Sequence, residues 1–199
     1  MDALSPAVRE ITRAIHELEM LEAEERALAK ESGAMGEARI EKTLRDQYEA
    51  VKRLRVQQEE LRAKASTAES APDRAQGAAA LKTLAAPQQQ LRDTAMLTLA
   101  GLRPAAEELA KAVPKDSPHA AAAAAAFQGL ELAASLASHA PEEMKAAWLG
   151  LGEAKAKDAI GAQLTATEKL ARPEAALVKA HGAASKRFEM AAVDEANRH

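Results

Sequence analysis

The chain has 199 residues, a net charge of −3 and no cysteine, and 52 of its residues are alanine. Leu, Ile, Val and Phe together number only 34 of the 199 residues, so the core is expected to be thin. Without cysteine, the chain cannot form disulfides, thiolate nucleophiles or thiolate metal sites. The abundance of Ala, Glu, Lys, Leu and Arg, with few β-branched or aromatic residues, predicts an all-α fold.

The first predicted unit, residues 1–70, contains two helices. Ser5-Pro6 is a helix start signal, and apolar residues then recur at spacings of three and four, which predicts an amphipathic helix over 5–31. The glycines of the segment 32–36 are expected to end this helix, because glycine readily takes left-handed conformations. A second run from Ile40 to Ala65 keeps the same rhythm and predicts a coiled-coil helix over 37–69.

The short connection between these helices favours an antiparallel coiled-coil hairpin. In that register Glu17 is expected opposite Lys52, and Glu24 opposite Arg45, so that opposite charges meet. The apolar pairs expected across the seam are Val8 with Leu61, Ile15 with Leu54, Leu18 with Val51 and Leu21 with Tyr48.

The second predicted unit, residues 71–199, is an alanine-rich helical bundle. Prolines mark its helix starts, because a proline in the first turn lacks only an N–H that would be unpaired anyway. Alanine faces should let these helices approach closely. The helices expected are 73–113, kinked or broken at Pro87 and Pro104, then 118–139, 141–171 and 173–197.

No residue pattern indicates catalysis. None of the five histidines follows a glutamate at the Glu-x-x-His spacing of helical metal sites. Asp116 stands three residues before His119, but the two are separated by a predicted turn that contains a proline. Glycine-rich phosphate loops and Gly-x-Ser-x-Gly elbows are missing from the sequence. We therefore expect a protein that is not an enzyme, with no catalytic, cofactor-binding or metal-binding residues and no cofactor.

One basic cluster, formed by Lys52, Arg53 and Arg55, is the candidate protein-binding site. Glutamates flank the cluster, the chain has four aromatic residues and the sequence pI is about 6.0, all of which disfavour nucleic acid as a partner. Charge complementarity governs association more than folding. The cluster is therefore expected to face another protein or a second copy of the chain.

The N-terminal residues and the hydropathy pattern favour a cytoplasmic location. The first six residues carry an acid where a signal peptide needs basic residues. The longest uninterrupted apolar run, 120–127, is far shorter than the roughly 20 residues of a membrane span. We expect no integral membrane segment.

These observations favour a non-catalytic helical interaction protein that acts as an adaptor, scaffold or assembly subunit through its coiled-coil hairpin. One alternative is an amphipathic coat on a polymer granule or membrane surface, similar in alanine-rich helical composition to the phasins. A weaker alternative is a histidine phosphotransfer component using His181. There the lysine and glycine expected three and four residues later are replaced by Ala184 and Ser185.

Overall fold

The computed structural model describes residues 6–115 and 117–197. No strand occurs within these ranges, which confirms the all-α prediction. The helices are α1 (Pro6–Glu69), α2 (Arg74–Thr83), α3 (Ala85–Ala100), α4 (Leu102–Ala112), α5 (Ala120–Ala137), α6 (Ala140–Gly152) and α7 (Ala156–Ala196).

The predicted hairpin is wrong, because α1 is one uninterrupted helix of 64 residues. Both glycines of the segment 32–36 lie inside this helix, and Gly36 does not take a positive φ angle. A glycine inside a helix costs only about 1 kcal/mol relative to alanine, and no proline follows to stop the helix. Ile15 and Leu54 therefore lie about 58 Å apart along one axis rather than opposite each other. Ser5 and the Val8 side chain fall outside the described residues.

The second half of α1 packs on α7 instead of on its own first half. The two helices run antiparallel: Arg55 of α1 contacts Glu174 of α7, while Ala65 and Ala159 share a cluster nearer the other end. Leu44, Val51 and Leu54 are buried. The 4,3 rhythm after Ile40 thus correctly marks a buried stripe, although its partner is a distant helix.

The hydrophobic core crosses the boundary expected near residue 70. It joins Leu54 of α1 to Leu102 of α4, Leu130 of α5 and Leu177 of α7 in one cluster. The most extensive contacts of α7 are with α1, α5 and α6, while α3 packs on α6 and α4 packs on α5. Residues 40–69 are therefore packed as part of the bundle.

Small residues allow α5 and α7 to lie very close together. A Cβ added at Gly129 of α5 would overlap the Cβ of Ala180 and lie 3.3 Å from its Cα. Ala126, Ala133 and Ala137 of α5 are also buried. The close approach expected from alanine-faced helices is confirmed here, and α5 covers nearly all of the predicted helix 118–139.

Two prolines begin new helices, as one of the predicted alternatives required. The range 73–113 is broken near Leu84 and Gly101 into α2, α3 and α4. Pro87 and Pro104 are each the third residue of the helix that follows, where the missing N–H leaves no hydrogen bond unmade. Asp73 caps α2 by accepting hydrogen bonds from the backbone N–H groups of residues 75 and 76.

The predicted boundary between 171 and 173 is wrong, because Pro173 lies inside α7. An interior proline costs about 3 kcal/mol or more. Leu170 and Leu177, one turn to either side, are both fully buried, and their burial offsets that cost.

The predicted helix 141–171 is also wrong, because the chain turns between α6 and α7. Ala154 has a left-handed φ of 56°, and the Lys155 N–H donates to the carbonyl of Gly150 at 2.8 Å. This is a Schellman ending, which satisfies the last carbonyls of a helix. Gly150 packs against Ala159, with Cβ-position contacts of 3.1–3.2 Å, so the turn is tight.

The stretch Ala120–Gly152 is long and apolar enough to cross a membrane by length and composition, and an 18-residue window within it has a mean hydropathy of 1.3. In the structure it forms two helices, α5 and α6, joined at Ser138 and His139. Leu130 and Met144 are buried in the bundle core. Buried core helices pass the same length-and-composition test.

Candidate interaction surface

The first half of α1 projects from the bundle as a free helix. We call residues 6–39 the arm, because Ile40 is the first buried residue of α1 among those described. Every described side chain from Arg13 to Met35 is exposed. At 1.5 Å per residue the arm is about 50 Å long.

The arm carries an apolar stripe that nothing in the bundle covers. Its members recur at spacings of three and seven, which is the seam pattern of a coiled coil. Each member exposes about three fifths of its surface, a large fraction for an apolar side chain. The arm stripe consists of Leu18 (60%), Leu21 (60%), Leu28 (61%) and Met35 (64%).

The arm stripe lies on a different face of α1 from the one that packs on the bundle. Because an α-helix turns about 100° per residue, Leu28 and Met35 lie about 120° and 140° around the axis from Ile40. The buried stripe that starts at Ile40 packs on α7. The arm stripe points in a different direction, so it does not continue this contact. The two apolar stripes of α1 therefore lie on different faces of the helix.

A row of glutamates follows one edge of the arm stripe. Glu17, Glu24 and Glu31, which we call the acidic row, recur every seven residues. Glu17 accepts a hydrogen bond from Arg13 Nε at 3.0 Å, and both side chains remain largely exposed. Residues 17–31 contain six acids and two bases, so this part of the arm is strongly negative.

The arm is anchored where α1 meets α5 and α7. A Cβ added at Gly36 would lie 3.8 Å from the ring of His119, and that ring packs edge-on against Phe188 at a centroid distance of 5.4 Å. The Nδ1 atom of His119 is buried and has no hydrogen-bond partner in the described part of the chain. These contacts place the base of the arm against the bundle.

The three predicted protein-binding residues have different surroundings. Arg53 is exposed, and its Nε donates to the backbone carbonyl of Glu49 at 3.1 Å. Lys52 is partly exposed, and its Nζ lies 5.3 Å from the centroid of the Tyr48 ring. Both remain accessible on the surface of α1, and their role as a protein-binding site stays a prediction.

Arg55 is engaged inside the molecule. Its Nε donates to Glu174 Oε2 at 2.5 Å, and its Nη1 donates to Glu59 Oε1 at 2.7 Å. Hydrogen bonding to Glu174, opposed by burial, raises the pKa of the Arg55 guanidinium. Arg55 is therefore part of the contact between α1 and α7.

A buried glutamine cluster ties three helices together. Gln58 of α1 and Gln88 of α3 exchange amide hydrogen bonds of 3.1 and 2.8 Å, and Gln163 of α7 donates to Gln88 Oε1 at 2.9 Å. All three side chains have 0% exposure. Gln163 Oε1 is buried without a partner in the described structure. The cluster is a hydrogen-bonded polar group within the hydrophobic core, and it links α1, α3 and α7.

The other candidates have little chemistry around them. His181 is exposed on α7, where its backbone carbonyl accepts from Ser185 Oγ. No group of three or more His, Asp or Glu among the described residues could hold a metal ion. An open groove of about 830 Å³ lies between the end of α1 and α2, lined mainly by small and polar residues such as Ser66, Thr67 and Ala80.

Comparison with protein-family models, with curated proteins and with solved structures finds no match.

The arm is the surface feature that sequence reasoning missed. Leu18 and Leu21 are predicted to be buried across the hairpin seam, and Met35 falls in the predicted loop 32–36, so the sequence interpretation contains no exposed stripe. The relevant signal was the phase change between Met35 and Ile40, which shows that the two stripes do not share one face.

Proposed function

We propose that the chain is a non-catalytic helical interaction protein, an adaptor, scaffold or assembly subunit, that binds its partner through the arm. The observation that supports this proposal is the exposed arm stripe on a helix that projects about 45 Å beyond its contact with the bundle at Gly36. A surface of this kind has the shape of one half of a coiled coil.

Burial against a partner would stabilise the side chains of the arm stripe. Fully burying a Leu or Met side chain contributes about 1.5–3 kcal/mol, and four such residues lie along the stripe. Helices gain most of their stability from packing an amphipathic face, and the arm has no such packing within the described chain. A partner helix laid along the stripe would supply it.

A paired set of variants tests this function. Leu18→Glu with Leu28→Glu changes the arm stripe, while Leu97→Glu with Leu132→Glu makes the same change at exposed leucines of α3 and α5. Both variants should keep the circular dichroism and melting temperature of the bundle. Quantitative pull-downs should lose specific proteins only with the arm variant, and identical captures from both variants would contradict the proposal.

A surface-coating role would need amphipathic faces that open onto an apolar surface. The faces of α1 and α7 that would have to open contain Leu54 and Leu177, which are buried against neighbouring helices. Opening them would forfeit the core. Flotation with phospholipid vesicles or polymer granules separates the two roles, because an interaction arm predicts no flotation.

A further inference from the structure

We infer that the partner of the arm is an α-helix whose apolar seam is flanked by lysine or arginine, and that this partner is not a second copy of the chain. This inference rests on the proposed function of the arm. It names the chemistry of the partner from the charges that border the arm stripe.

The heptad positions of the arm define these borders. Leu18 and Glu25 occupy a positions, and Leu21, Leu28 and Met35 occupy d positions. The acidic row then occupies the g positions, which lie beside the seam and meet the flanks of a partner helix. Glu22 falls on the opposite flank. The g border of the seam is therefore acidic along the arm, while the e border and the seam itself each carry one further acid, Glu22 and Glu25.

Pairing two arms would bring these acids together. In a parallel pair, g positions meet e positions, so Glu17 of one copy would face Glu22 of the other, and Glu25 would face its own equivalent. In an antiparallel pair, g meets g, and the acidic row would face itself. Like charges across an interface oppose association. Neither orientation suits a second copy.

A helix with basic flanks satisfies the same positions. Lysine or arginine at its e and g positions would lie opposite the acidic row, while its leucines cover the arm stripe. The exposed surface of Glu17, Glu24 and Glu31 leaves the carboxylates accessible to such groups. Charge complementarity of this kind raises the association rate and selects the partner.

Two synthetic peptides test the inference on the full chain. Both have four heptads with leucine at every a and d position; one carries lysine at all e and g positions, and the other carries glutamate. Each peptide repels itself, so neither should dimerise. Fluorescence anisotropy should show the lysine peptide binding at least about tenfold more tightly than the glutamate peptide, with a preference that shrinks at high salt.

Charge reversal supplies the matched control. Glu17→Lys, Glu24→Lys and Glu31→Lys together should invert the preference between the two peptides. Glu60→Lys, Glu107→Lys and Glu108→Lys make the same net change at exposed residues of the bundle and should preserve it. Sedimentation of the unchanged chain alone at micromolar concentration should give a monomer.

Three outcomes would overturn the inference: equal binding of the peptides, binding of neither peptide, or a chain that dimerises until Leu18 and Leu28 are replaced by glutamate. Failure of the proposed function is distinguishable, because there the arm-stripe variant would capture the same proteins as its bundle control. If captures are lost while the peptides do not bind, the arm keeps its function and the basic-helix chemistry is rejected.

Discussion

Arg55 and Glu174 face each other across the antiparallel contact of α1 and α7, with Arg55 Nε 2.5 Å from Glu174 Oε2. Their side chains are only 25% and 15% exposed. Since water screens such a pair less than a surface pair, its removal should lower the free energy of unfolding. The pair joins the two longest helices beside their shared apolar contact.

Arg55→Glu should destabilise the bundle by about 2–3 kcal/mol, less than the 3–5 kcal/mol of a fully buried pair. The new carboxylate would lie beside Glu59 and Glu174. Urea denaturation followed by circular dichroism measures the change. Adding Glu174→Arg should recover part of the loss, while Lys52→Glu with Arg53→Glu should cost under about 0.5 kcal/mol. Equal losses from both changes would refute an internal role for Arg55.

The glutamine cluster should respond to single and triple changes in opposite ways. Gln88→Met leaves the buried amides of Gln58 and Gln163 without their acceptor, which should cost about 2–4 kcal/mol. Changing all three glutamines to methionine removes every polar side chain of the cluster and should restore most of that loss. Chemical denaturation measures both. A triple variant less stable than Gln88→Met would contradict the hydrogen-bond explanation.

Gly129→Ala should destabilise the contact of α5 with α7 by about 1–3 kcal/mol, because the added methyl overlaps Ala180. Gly182→Ala is the matched control on α7, where an added Cβ meets nothing within 4 Å. There the higher helix propensity of alanine should stabilise by about 0.5–1 kcal/mol. Thermal melts that shift in the same direction would disprove the close approach.

Ala154→Gly should stabilise the chain by about 1 kcal/mol. Ala154 is the described non-glycine residue with a positive φ, and a left-handed conformation costs an L-residue about 1–2 kcal/mol that glycine does not incur. Ala171→Gly, at an exposed position inside α7, should instead destabilise by about 1 kcal/mol. A lower melting temperature for Ala154→Gly would rule out strain at this turn.

Local signals in the sequence located most helix starts but not the long-range partners. Asp73, Pro87 and Pro104 act within one turn of the chain, so a single sequence reveals them. The stripe from Ile40 to Ala65 was recognised, yet a seam does not name the helix that covers it. The opposite charges predicted to meet across the hairpin, such as Glu17 and Lys52, agreed with a pairing that does not form. The second half of α1 packs on α7 instead.

The remaining errors concern helix breaks and buried partners. Gly33 lies inside α1, where it costs only about 1 kcal/mol and no proline follows it. Pro173 lies inside α7, where the burial of Leu170 and Leu177 offsets its larger cost. The turn at Ala154 had no local signal beyond the glycines before it. Gln88 had one: it falls seven residues after Leu81 and seven before Ala95 in an otherwise apolar row, where a buried amide needs partners.

The continuity of α1 also determines how the molecule moves through water. A helix of 64 residues is about 96 Å long, which is far greater than the diameter of a compact sphere with the same 21.1 kDa mass. Friction rises with elongation, so a monomer will elute early from a gel-filtration column and resemble a dimer. Its stoichiometry therefore has to come from light scattering or sedimentation equilibrium, which measure mass independently of shape.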